Sequence, residues 1–154
     1  MMEHDRAVGG RIRRLLVCFD GSAESNEAME LALDLGRSLS AELTVFSVLA
    51  DTSHLETDEA RHAAERAARD RLDRDLDRIR AHATSVGVPL REATAPGGDP
   101  ADTIARFAHE HGFDLIVIGS HGRERVTHGG LGRVVERLLG DPRCPVLVAA
   151  ERFE

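Results

Sequence analysis

Apolar residues along the chain alternate between two habits: short, largely apolar runs, and longer segments in which they recur every three or four positions. The runs are IRRLLVCF from Ile12 to Phe19, LTVFSVL from Leu43 to Leu49, LIVIG from Leu115 to Gly119 and VLVAA from Val146 to Ala150. Runs of this kind suit strands buried on both faces of a parallel sheet. PLREAT, from Pro89 to Thr94, supplies a fifth strand whose weak apolar character places it at a sheet edge. Between the runs the spacing is helical. Ala28, Ala32, Leu35 and Leu39 mark a helix from about Ala23 to Leu39, started by Ser22 after Asp20-Gly21. Ala60, Ala64, Ala67, Leu72, Leu76, Ile79, Ala83 and Val86 mark a longer one, capped by Thr57 and closed by Gly87; its narrow alanine stripe suits close packing on a sheet better than a coiled-coil seam. A third begins at Asp99-Pro100, an acidic cap with proline at the first helical position, and buries Ala101, Ile104, Ala105 and Ala108 before Gly112. Leu131, Val134, Val135, Leu138 and Leu139 form the last, stopped by Asp141-Pro142.

Strands alternating with helices require parallel pairing through right-handed crossovers, which predicts an α/β three-layer sandwich around a five-stranded parallel sheet, Rossmann-like in build. At 154 residues the chain fits one domain, expected over 12–151, with residues 1–11 a loose polar tail. Hydrophobic residues at 42% and charged residues at 31% exclude a disordered chain. No apolar run nears the roughly 20 residues of a membrane span, and the first fourteen residues lack a signal-peptide core, so a cytoplasmic protein without membrane contact is expected. A net charge of −7 argues against nucleic acid as a partner. All 20 cationic residues are arginines, which removes any lysine-based phosphate loop or Schiff base. Cys18 and Cys144 adjoin strand runs and read as small buried hydrophobes, and no metal-ligand spacing is present.

The densest chemistry lies between the fourth strand and the last helix. Gly119, Gly122, Gly129, Gly130 and Gly132 fall within fourteen residues of a strand-to-helix loop. Glycine there lets backbone N–H groups approach an anion with no Cβ in the way. A phosphate cradle and a flexible surface loop both fit glycine content alone.

Spacing adds to this. Gly119, two residues, Gly122, nine residues and Gly132 resemble the G-x2-G-x9-G nucleotide-binding signature of the universal stress protein family, and VCFDGS (Val17 to Ser22) and CPVLVA (Cys144 to Ala149) resemble the family's two ends. The resemblance implies strand order 3-2-1-4-5, which makes strands one and four neighbours whose connections leave in opposite directions. Open α/β sheets bind ligands at such a switch point. The resemblance further implies ATP, or ADP or AMP, with Mg accompanying the phosphates. Asp20 would lie beside adenine or ribose, and Val48 would pack on the base. Gly119, Gly122 and Gly132 would let amides reach ribose and phosphates, with another amide from Val134. The family follows the last glycine with Ser or Thr, whereas this chain has Arg133. Arg133 could clamp terminal phosphates, fill the cradle, or pair with an acid such as Glu136.

Other side chains in this region read as lining. His121 and His128 lack a third ligand for a metal, Arg123 and Arg125 add positive potential or only solvation, and Ser120 lacks the G-x-S-x-G setting of a nucleophile. With no catalytic residues specified, the expected function is a nucleotide-binding stress-response module with at most slow ATP hydrolysis. The alternatives are a nucleotide-free dimeric scaffold of the same family, its site altered by Arg133, and more distantly an adenylyl-transferring or electron-transfer relative. Pairing of the strand Val146 to Ala150 with a second copy would hide an apolar edge, so a homodimer is expected.

Overall fold

The structure, a computed structural model, describes residues 12–121 and 132–150. The expected tail over residues 1–11 and the glycines and histidine between positions 122 and 130 lie outside the described residues.

Five strands, β1 (Arg14–Cys18), β2 (Glu42–Val48), β3 (Leu90–Ala95), β4 (Leu115–Gly119) and β5 (Val146–Ala149), form one sheet in the order β3-β2-β1-β4-β5. Every pairing is parallel. The expected order is therefore observed, with β3 and β5 at the edges. β4 has the bounds of its apolar run, and the other strands start or stop one or two residues away from theirs. Ile12 and Phe19 flank β1 rather than belonging to it, and Ala150 lies beyond β5.

The helices are α1 (Ala23–Leu39), α2 (Asp58–Val86), α3 (Pro100–Glu110) and α4 (Arg133–Leu139). Those on one face of the sheet, α1 and α2, close a core around Leu15, Val17, Met29, Leu43, Val45 and Val117. On the other, α3 and α4 close a second core around Leu16, Phe46, Ile104, Ile116, Val135 and Leu138. Alternate residues of β1 serve opposite cores, the period of two that a doubly covered strand requires.

Two helices differ from expectation. The first half of α2 does not pack on the sheet: Ala60 and Ala67 are exposed and Ala64 half-buried, and its buried residues begin at Leu76. The reason is length. Twenty-nine helical residues rise about 44 Å, whereas a six-residue strand spans about 20 Å, so the helix overhangs the sheet. In α1 the buried face carries Met29, Leu33 and Gly36 beside Ala28 and Ala32, which turns Leu39 outward to 44% exposure. No described helix is long and apolar enough to cross a membrane.

Candidate functional site

β1 stands between β2 and β4, and its chain leaves the sheet at Asp20-Gly21, where Gly21 takes φ 83°. A side chain at that angle would be strained, which explains the glycine. Ser22 then caps α1 by accepting from the Ser25 amide (3.2 Å), while the Asp20 carboxylate accepts from the Ser22 amide (2.9 Å). Asp20 is thus held at the mouth of the crevice by the turn that starts α1.

β2 runs further than β1, and this has a consequence at Val48. Even-numbered residues of β2 face β1: the Glu42 amide donates to Arg13 and the Phe46 carbonyl accepts from Phe19. Odd-numbered residues face β3, as the amides of Leu43 and Leu49 show by donating to Pro89 and Ala95. Val48 faces the β1 side, yet the Phe19 carbonyl is taken by the Ser47 hydroxyl (2.7 Å) and the chain has turned away at Asp20. Among the described residues no backbone partner meets the Val48 N–H or C=O. A donor and an acceptor, one residue wide, therefore open into the crevice beside Asp20. The Val48 side chain borders the second core, as do Val134 and Ala95.

On the other side of the crevice the glycines serve packing. A Cβ at Gly119 would lie 2.6 Å from the Glu24 carbonyl oxygen, so only glycine lets the end of β4 pass beneath the first turn of α1. Gly132 donates its own amide to the Ser120 carbonyl (2.8 Å), fastening the start of α4 to the exit of β4. That amide is occupied within the fold. Val134 is half-buried, and Arg133 is exposed at the first position of α4. No ion pair joins Arg133 to Glu136 among the described residues. Gly122 lies outside the described residues, as do Arg123, Arg125 and His128.

One contact had no sequence signal. Asp99 occupies the cap position of α3 but makes no capping bond; its carboxylate instead accepts from Arg137 of α4 at 2.6 Å. The exchange bolts together the two helices that wall the crevice on that face. The Cys18 thiol, at the end of β1, is poorly disposed to attack. Burial, with the Asp20 charge, pushes the Cys18 thiol up to about 12, so it stays protonated. Ser120 meets His121 Nδ1 at 3.1 Å. Among the described residues no group of three or more His, Cys, Asp or Glu could hold a metal ion.

A cavity of about 650 Å³ opens elsewhere, between α1 and the end of β5. Its wall carries Glu27, Glu30 and Asp34, charges that would repel phosphate. The open backbone groups of Val48 and the topological switch point lie instead at the β1/β4 crevice.

Comparison with known proteins identifies the family. The universal stress protein family model matches residues 11–150. The universal stress protein YxiE of Bacillus subtilis is 30% identical over 148 residues, covering 88% of this chain and 97% of that one. A universal stress family protein from Burkholderia pseudomallei superposes with TM-score 0.67 at 31% identity over 91% of this chain and 97% of its own. Two further structures share the fold: a universal stress protein in complex with cAMP (TM-score 0.67, 21% identity, 88% and 95% coverage) and one from Archaeoglobus fulgidus in complex with dAMP (0.61, 20%, 88% and 96%).

Proposed function

Since the chain belongs to the universal stress protein family, we propose that it binds an adenine nucleotide at the β1/β4 crevice and acts as a stress-response binding module rather than a catalyst. The observation that carries this reading is the open amide of Val48. An N–H beside a C=O matches the acceptor N1 and donor N6 of adenine, whose Watson–Crick edge would complete the ladder that β1 abandons. Guanine also offers a donor beside an acceptor. The choice of adenine is supported by the family structures holding cAMP and dAMP. Asp20 lies beside the same opening, within reach of ribose hydroxyls, while Gly119, Gly122, Gly132, Arg133 and Val134 would border the ribose and phosphates, with Mg accompanying ATP. Nucleotide binding, not turnover, suits a crevice whose thiol is protonated and whose chain has no lysine.

Isothermal titration calorimetry with ATP, ADP, AMP, cyclic AMP and GTP, on protein stripped of co-purified ligand, tests the reading. Saturable binding of adenine nucleotides, with GTP weaker, is the expected result; no heat with any of the five would overturn it.

We also propose a homodimer through β5. The strand is four uncharged residues, VLVA, at an edge of the sheet, whereas the opposite edge, β3, carries Arg91 and Glu92. Charges protect an edge from pairing, and β5 has none within the strand. Val148→Asp is therefore expected to convert a dimer to a monomer in multi-angle light scattering at micromolar concentration, with the helical circular dichroism retained. A native protein that elutes as a monomer would remove the proposal.

A further inference from the structure

Resting on the nucleotide reading above, we infer that Arg133 makes the crevice selective for the number of phosphates, favouring ATP over ADP and ADP over AMP. The inference rests on the side chain, its position and its neighbours. Gly132 is bonded to the Ser120 carbonyl, and a Cβ on it would stand 3.4 Å from the His121 Cα. Arg133 is the next residue, so its stem begins within one residue of the β4 exit. The adjoining Val134 points into the second core, as Val48 does from the far wall. Arg133 is exposed, outside the packed core, and directly follows the bond that fastens α4 to the β4 exit.

Among the described residues no ion pair holds its charge, unlike that of its neighbours. Arg137, one turn further along α4, is held by Asp99 at 2.6 Å. Arg143 is held by Asp141 at 2.7 Å and Asp102 at 2.9 Å. These pairs consume the acids at the start of α3 and the end of α4, and none joins Arg133 to Glu136. The described charge on the opposite lip is Asp20, in a chain of net charge −7. In such a chain Arg133 offers the added phosphate charge a planar fork of donors suited to phosphate oxygens. Adenine at Val48 would fix the near end of the ligand, so the phosphate chain extends toward the β4 side, where Arg133 stands. Selectivity then arises because the guanidinium reaches the terminal phosphates while the base and ribose are bound by other groups.

The test is the same calorimetric series of AMP, ADP and ATP on the native protein, Arg133→Ser and Arg133→Lys, at two salt concentrations. The native protein is expected to tighten along the series. Arg133→Ser is expected to lose about tenfold on ATP and less than threefold on AMP, and Arg133→Lys to recover part of the ATP affinity, more at low salt. Circular dichroism and melting of each variant check the fold; a merely structural role for Arg133 would weaken all three nucleotides by one factor. A flat native series, a uniform loss in Arg133→Ser, or a gain for ATP in that variant would overturn the inference while leaving nucleotide binding intact. Absence of binding in every protein would overturn both.

Discussion

Gly119→Ala is expected to destabilise the protein by about 2–3 kcal/mol and to lower its melting temperature by roughly 5–10 °C, in the absence of any nucleotide. The added methyl would sit 2.6 Å from the Glu24 carbonyl oxygen, 2.7 Å from its carbonyl carbon and 3.0 Å from its Cβ. Two of these are backbone atoms, so rotation of a side chain cannot relieve the overlap. α1 must instead lift, yet Ala28 and Ala32 on its buried face are 0% exposed and Met29 is 1% exposed. A shift in α1 would break contacts with β1 and β4 together. Gly140→Ala is the control: its φ of −83° suits any residue and the nearest atom to an added Cβ is 3.7 Å away, so it should change stability by less than about 1 kcal/mol in either direction. Equal melting temperatures for the native protein and Gly119→Ala would mean that α1 does not rest on β4 as described. The result matters for function because it separates two reasons for the same glycine: the first glycine of the apparent nucleotide signature is required by packing even when no ligand is bound.

The inner strands β1, β2 and β4 were legible because burial on both faces leaves largely apolar runs, and α1 because Ser22 and the Asp20-Gly21 stop mark its start. The edge position of β3 showed in the polar character of LREATA. The overhang of α2 did not show, since its alanines at 60, 64 and 67 keep a helical period whether or not a sheet lies beneath them. Nor did the turning of Asp99 from its own helix to Arg137, because a cap and a cross-helix ion pair call for the same residue. At the crevice the sequence pointed to Asp20 and Val48 by resemblance. It could not show that Val48 contributes its backbone, because that depends on β1 ending short of β2, a relation between segments 28 residues apart.

Val48→Pro is expected to weaken adenine nucleotide binding by about ten- to a hundredfold while leaving the protein folded. Proline removes the Val48 N–H, which has no partner in the described fold, and leaves in place the Leu49 amide that donates to Ala95 at 2.9 Å. Ser47 before it is extended, the conformation a residue preceding proline prefers. The loss should therefore fall on the ligand, whose N1 would face a proline ring instead of a donor. Leu49→Pro supplies the contrast: it deletes a bond that joins β2 to β3 and should lower the melting temperature more than Val48→Pro does. Val48→Ala keeps both backbone groups and removes only packing against the base, so its effect on affinity should be smaller, about threefold. Unchanged affinity in a folded Val48→Pro protein would place the base elsewhere and leave the open amide without a role. A selective loss would instead tie the whole reading to one feature of topology, a strand that stops early and leaves its neighbour's backbone to recognise a ligand.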